Sequence, residues 1–326
     1  MRTKIFLTVL MLFVSTAYSK VQAVESTTGV KSKQEIEQLI QLYLKPKGVF
    51  NTSYDEFKFS SYQGAAFNHY SGHSNFISAG ADNLNFYNFY WGINAYNITT
   101  NTNTTSRLTN DLSQSHGSIE DNGVFLHVMK QVVFPVFVDV FASFGRDRFK
   151  QTNLVNGDTA NAVTGRAHYY GHDSTVGART FFGQSYKQLY LQGYLTYFYS
   201  TFYQPNFIFE YPIDNVSVPS LTSKVGTLIE HARLYYQVNE HFSPFVSGSL
   251  IQITSRSFSR PLVDQNLATI SALPQLLLAK NGYNYGVGVD YHYKTIRVTP
   301  SYVHTVRGNT FSDNYVSVNF ELTGLD

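Results

Sequence analysis

The chain has 326 residues, with 24 Lys+Arg against 22 Asp+Glu, a formal charge of +2 and no cysteine. That balance lacks the concentrated basic face a nucleic-acid partner needs, so none is expected. The missing cysteine excludes a disulfide framework and every thiolate metal site. Charged residues are only 14% and aromatics 16%, against roughly 25% charge in soluble domains. A chain this poor in charge and rich in rings is not disordered, and it has little surface suited to water.

The first 23 residues read as a secretory signal. Arg2 and Lys4 give a positive start, Ile5 to Val14 form an apolar stretch broken only by Thr8, and small residues follow at Ala17, Ser19 and Ala23. Cleavage is expected after Ser19 or after Ala23. The stretch is too short to span a bilayer, which takes about 20 apolar residues. No later segment holds 18 uninterrupted apolar residues. A membrane protein built from the remainder must then be a closed β-barrel, because only helices and barrels satisfy every backbone group in lipid.

Residues 24–48 form an N-terminal segment with one predicted helix over 32–45. Ser32 and Glu35 have capping-box spacing. Ile36, Leu39, Ile40, Tyr43 and Leu44 make one apolar stripe at i, i+3, i+4, i+7 and i+8. Pro46 and Gly48 stop the helix.

From residue 49 onward the hydropathy has period two. Val316, Val318, Phe320 and Leu322 alternate with Tyr315, Ser317, Asn319 and Glu321. Val136, Val138, Val140, Ala142 and Phe144 oppose Phe137, Asp139, Phe141 and Ser143. Such alternation gives each strand one apolar and one more polar face. Residues 225–236 break the rule by placing Glu230 on their more apolar face. Twelve strands are predicted, near 50–62, 74–82, 85–98, 118–133, 136–150, 167–185, 189–204, 222–238, 243–256, 282–293, 296–306 and 313–322.

The joins alternate between short and long. Short ones fall at Asn83-Leu84, Phe134-Pro135, Tyr186 to Gln188, Asn239 to Phe242 and Lys294-Thr295. Long ones cover 63–73, 99–117, 151–166, 205–221, 257–281 and 307–312, and the stretch 97–105 is almost wholly Asn and Thr. A sandwich with Greek-key crossings has no reason to alternate so. A transmembrane antiparallel barrel has short periplasmic turns, long outer loops and an even strand count. Rings cluster near strand ends, at Phe86 to Trp91 and Tyr197 to Tyr203, as interfacial girdles require. The expected fold is therefore all-β, a barrel over 49–326.

The segment Gly80 to Tyr96 carries a G-x-D strand end, a tight polar turn and a G-x-x-x-x-Y strand. It resembles the early hairpin of autotransporter translocator domains. Phe134 to Arg148, Gly177 to Tyr199 and Ser223 to Ile253 follow the later hairpins of that family, and Gly282 to Leu322 is similar to its last three strands. The resemblance covers about residues 49–322. It implies a twelve-stranded barrel in a Gram-negative outer membrane, assembled by the barrel-insertion machinery, with a helix in the lumen ahead of the first strand. Only about 25 residues separate the signal from strand one, so the expectation is a translocator without a passenger. The family ends on an aromatic signal. Here Phe320 and Leu322 hold those positions and Thr323 to Asp326 extend past them.

No P-loop, G-x-S-x-G or H-E-x-x-H motif occurs, and no cofactor, metal or enzymatic activity is expected. His73-Ser74-Asn75 has the residue types of outer-membrane phospholipases, but neighbours on a strand point to opposite faces and cannot cooperate. Asp173 with His168 and His172 reads as a polar strand start rather than a metal cluster. Arg146, Asp147 and Arg148 read as a solvated rim cluster. The N-x-[ST] matches at Asn51, Asn97, Asn103 and Asn215 are frequent by chance in Asn/Thr-rich sequence. The candidate lumen-facing residues are Asp139, Asp290, His292, Lys294, Asn319 and Glu321, which would set lumen charge and water content. The helix stripe could plug the barrel against inward rings such as Phe137, Phe141 and Tyr194, or lie in the periplasm against another chain. Expected partners are outer-membrane lipid, the insertion machinery and an extracellular ligand if the outer loops make the chain an adhesin rather than a pore. With Val318 facing lipid, Val318→Arg should cost roughly 2–4 kcal/mol, measured by urea titration of barrel folded into vesicles. Asn319→Arg, facing inward, should be mild, and equal effects would contradict the assignment.

Overall fold

The computed structural model describes residues 44–63, 66–108, 111–133, 135–155, 162–259 and 279–324. The signal and four residues of the helix stripe (Ile36, Leu39, Ile40 and Tyr43) lie outside them. Fourteen strands occur among the described residues. Those of the ring are β1 (Lys47–Gln63), β2 (Ala66–Phe86), β3 (Phe89–Leu108), β4 (Asp111–Val133), β5 (Val136–Val155), β6 (Val163–Tyr186), β7 (Leu189–Gln204), β10 (Leu221–Tyr236), β11 (Phe242–Phe258), β12 (Asn281–Tyr293), β13 (Ile296–Arg307) and β14 (Phe311–Thr323). Each pairs antiparallel with its sequence neighbours in the ring, and β14 returns to pair with β1, from Lys47↔Thr323 to Phe59↔Phe311. The result is a closed, all-antiparallel, twelve-stranded barrel. A small hairpin, β8 (Phe207–Glu210) with β9 (Asn215–Val218), lies between β7 and β10 and pairs with β6 at Arg166↔Glu210.

The two faces separate by side-chain size and polarity. Outward apolar residues are left bare: Val140, Phe144, Val176, Val246, Val287 and Val316 are each about half exposed. On the same strands the inward partners are buried, including Phe137, Asp139, Asp147 and Ser249. A sheet that exposes its Val and Phe while burying its Asp and Ser is inside-out for water and correct for lipid. The outer edge of the apolar belt is visible on β4 to β6. Outward-pointing Val124, Phe144 and Val176 are followed by Asn122 and Glu120, by Arg146 and Arg148, and by Ser174 and His172.

Five expectations about joins need correction. The stretch 99–117 is not a loop, since β3 and β4 run through it to Leu108 and from Asp111. It reads as loop because it lacks apolar alternation, but Thr is β-branched and favours strands. Beyond the belt both faces can be polar. There the side chains tie neighbouring strands together: Asn97 Nδ2 donates to Asn122 Oδ1 at 2.9 Å, and Asn103 Oδ1 lies 2.9 Å from His116 Nδ1. Likewise much of 63–73 and 151–166 is strand, and 205–221 contains the β8–β9 hairpin. Finally, the chain does not reverse at Asn83-Leu84. Asn83 has φ 58° beside a register shift between Ala81 and Leu84, which is a bulge. The reversal comes at Tyr87 and Asn88, with φ 52° and 62°. Two successive left-handed residues form the tight hairpin turn whose twist matches the strands.

Candidate functional site

The inward faces enclose a cavity of about 1040 Å³. Its wall carries Asp82, Asn94, Tyr96, Asp121, His127, Asp147, Asp173 and Arg179 on one side and Ile229, Ile251, Arg307 and Asp313 on the other.

Near the short-turn end, two charge networks brace the wall. In the first, His127 lies between two carboxylates, its ring nitrogens 2.9 Å from Asp139 Oδ1 and 2.5 Å from Asp82 Oδ1. Arg179 Nη2 donates to Asp139 Oδ2 at 2.5 Å. Asp139 is fully buried, so both of its oxygens need these donors. In the second, Arg297 grips Asp290 through two 2.7 Å bonds and reaches Glu321 Oε2 at 3.3 Å. Lys47 Nζ lies 3.0 Å from that Glu321 oxygen, Thr299 donates to Asp290, and Asn319 Nδ2 donates to Glu321 Oε1 at 3.2 Å.

Four of the six candidate lumen residues thus fall in two networks: Asp139 in one, Asp290, Asn319 and Glu321 in the other. His292 and Lys294 join neither. His292 is exposed at the end of β12, where its backbone N–H donates to the His241 carbonyl, and Lys294 sits over the Tyr293 ring at the turn. Arg179, Arg297, His127, Asp82 and Lys47 are the residues the sequence reading missed. The available signal was parity: Arg179, His127, Asp82 and Lys47 each lie on the same face of their strand as a buried polar residue, and Arg297 lies on the same face as Thr299 and Ser301, whose hydroxyls are hydrogen-bonded. Pairing them needs the inter-strand register, such as Arg297↔Glu321.

Apolar clusters sit at each end. At the short-turn end Leu44, 7% exposed, packs with Met129 and Phe137, flanked by Tyr90 and Phe181. At the other end Phe149, Tyr169, Phe207, Phe209 and Val218 form a ring-rich cluster, with Tyr169 and Phe207 stacked at 3.9 Å. The β8–β9 hairpin therefore leans on the inner wall.

Asp147 is not part of a solvated rim cluster. Arg146 and Arg148 point outward, Arg146 over the Tyr170 ring, while Asp147 is 6% exposed and faces inward. Alternation along β6 likewise sends His168 and His172 to the face opposite Asp173. Asp173 instead meets Asp121 and Asp147, with one oxygen of each within 4.8 Å of the others. All three lie just past the outer edge of the apolar belt. Burial, then mutual repulsion, raises the carboxyl pKa of Asp121 and of Asp147 above the ordinary range, and burial raises that of Asp173. His73 stacks on Tyr54 at the outer surface, whereas Ser74 Oγ lies 2.9 Å from Thr100 Oγ1 on the lumen wall, so the two sit on opposite faces.

No family model matches the chain, and no curated protein matches it. Solved structures do match in fold. The translocator domain of the autotransporter NalP from Neisseria meningitidis superposes with TM-score 0.59 at 11% identity, over 92% of this chain and 100% of that one. The β-domain of the Bordetella autotransporter BrkA gives 0.55 at 12% identity, over 86% and 100%. The transport unit of AIDA-I from Escherichia coli gives 0.53 at 10% identity, over 85% and 90%. Fold and belt together define an outer-membrane β-barrel, the class of protein held in the outer membrane of Gram-negative bacteria. Within that class the fold is of the autotransporter translocator type.

Removing the hub of the first network gives a clear test. Asp139→Ala leaves Arg179 and His127 without their shared carboxylate and should destabilise the barrel by about 3–5 kcal/mol, read from its urea midpoint in detergent or vesicles. A change within about 0.5 kcal/mol would show that the network carries no stability.

Proposed function

We propose that this chain is a narrow outer-membrane pore of translocator-type fold, closed from the periplasmic side by its own N-terminal segment. Leu44 carries the reading. It lies three residues before β1, yet it packs on Met129 of β4 and Phe137 of β5, strands that do not pair with β1. The chain entering β1 therefore crosses the lumen mouth. Leu44 is the last residue of the stripe Ile36, Leu39, Ile40, Tyr43 and Leu44, so a helix over 32–45 would present that stripe to Phe137, Tyr90 and Phe181. An apolar partner for that stripe is present, since the periplasmic end of the wall at Met129, Phe137, Tyr90 and Phe181 is itself apolar and aromatic.

In this reading Asp139, Asp290, Asn319 and Glu321 face the lumen and fix its charge, their networks narrowing it further, while His292 and Lys294 sit at its short-turn rim. Outer-membrane lipid is the solvent of the outer face, and the barrel-insertion machinery is the partner during assembly. A second reading, surface adhesion, is favoured by one feature. Strands β2 to β5 continue well past the belt with mostly polar side chains, Asn and Thr above all on β3, an ordered surface on which an extracellular ligand could pair.

Conductance separates these readings. The mature chain in a planar bilayer should show rare, small steps, and deleting residues 32–45 should make them frequent and larger. Silence from both proteins would sink the pore. Loss of surface binding on shortening 99–117, with the barrel still folded, would favour adhesion.

A further inference from the structure

Three carboxylates near the short-turn end each have a Lys or Arg partner, Asp139 with Arg179, Asp290 with Arg297, and Glu321 with Lys47 and Arg297, while Asp82 is hydrogen-bonded to His127. Asp121, Asp147 and Asp173 are treated differently. Among the described residues no Lys or Arg nitrogen lies within ion-pair distance of any of them. Register forces them together, since Asp121 is directly opposite Asp147 across β4–β5 and Asp173 is opposite Gly145 across β5–β6. Like charges placed face to face destabilise a sheet unless something neutralises them.

Two further observations concern what these oxygens face. Asp147 is 6% exposed and its Oδ2 has no hydrogen-bond partner, and Asp121, 9% exposed, has Oδ1 equally unsatisfied. Buried acceptors left unpaired in this way are rare in native proteins. The second observation is the shape of the wall. Gly123 and Gly145 are paired across β4–β5 and leave a trough, in which the Tyr96 ring lies. An ideal Cβ on Gly145 would fall at cation–oxygen rather than carbon–oxygen range of both Asp173 Oδ2 and Asp121 Oδ1, with Tyr96 Oη 2.8 Å away. The glycine keeps that point open, and three oxygens from three different strands converge on it.

We propose that Asp121, Asp147 and Asp173, completed by Tyr96 Oη, form a divalent-cation site of calcium type on the lumen wall, just outside the outer edge of the bilayer. The donor set decides the class of ion. It is all oxygen, with no nitrogen or sulfur, which suits a hard cation such as calcium and not zinc or copper. Three carboxylates offer enough charge to compensate a divalent ion. Water from the lumen completes the six to eight ligands calcium takes. The ion would tie β4, β5 and β6 together at the height where belt lipids no longer support them, and it would remove the repulsion that register imposes. The site stands on the barrel and its register alone, so it is independent of whether the lumen conducts.

The test uses the full mature chain folded in detergent, with each variant's folding checked by its unboiled gel mobility. Terbium, excited through tyrosine, is the first probe, and calcium titrated against it is the second. Saturable terbium emission displaced by calcium is expected, with a calcium Kd of about 10⁻⁴–10⁻³ M, typical of extracellular sites. Asp147→Asn should weaken calcium at least tenfold. Gly145→Ala keeps all three carboxylates but fills the point where Asp121, Asp173 and Tyr96 Oη converge, and it should abolish binding. Calcium should also raise the temperature at which the wild-type barrel loses its compact mobility, and chelator should reverse that. No saturable calcium binding by wild type up to about 10 mM would overturn the proposal. So would equal binding by wild type and Gly145→Ala, which would mean adventitious attraction to surface carboxylates. Should Asp147→Asn fail to fold, the wild-type titration and Gly145→Ala decide alone.

Discussion

Backbone amides and carbonyls have no hydrogen-bonding solvent in hydrocarbon, and each orphan there costs several kcal/mol. The seam between β1 and β14 meets that constraint. Thirteen residue pairs, from Lys47↔Thr323 to Phe59↔Phe311, join the first strand to the last. Once the ring is closed none of its strands is an edge within the belt, and the sheet can present Val, Phe and Tyr to lipid without inviting another chain to add on.

Closure also creates an inside, and the inside has its own problem. A wall of alternate residues from twelve strands brings charges together whether or not they attract. At the short-turn end the attraction is built in: Asp139 with Arg179 and His127, and Asp290 and Glu321 with Arg297 and Lys47. Those networks join three or more strands each and act as cross-braces on the lumen. The same end holds the apolar patch of Met129 and Phe137 that seats Leu44. At the outer end, rings on β5, β6 and the β8–β9 hairpin replace ion pairs as the packing, while Asp121, Asp147 and Asp173 remain as unpaired acids between the two regimes.

Much of this was legible in the sequence because period two is a local signal. Val136 to Phe144 or Val316 to Leu322 declare their faces without reference to any other strand, and a run of such segments joined in sequence order declares an up-and-down barrel, although the joins at 63–73 and 99–117 are shorter than they read. Three things were not legible, each for a physical reason. Strand ends beyond the belt lose the apolar alternation that marks a strand, so the Asn/Thr run near 99–108 looks like loop although it is paired on both sides. The turn at Tyr87-Asn88 is hidden because a bulge at Asn83 offers a more conventional turn sequence four residues early. The lumen partners depend on register between strands far apart in sequence. Arg297 beside Glu321, or Asp121 beside Asp147, can be found only once the pairing is known. For the same reason Asp173 was grouped with its sequence neighbours His168 and His172, which share its strand but not its face.

The seam can be measured directly, because the chain has no cysteine of its own. Thr52 and Val318 are register partners across β1 and β14. In a Thr52→Cys, Val318→Cys variant folded in detergent, mild oxidation should form an intramolecular disulfide in high yield. The chain joined at 52 and 318 would then run faster on a denaturing gel until reduced. A control pair, Thr52→Cys with Val140→Cys on distant β5, should stay reduced. Failure of the seam pair to link in protein whose strand content is intact, or equal linking by the control, would show that the sheet does not close between its first and last strands.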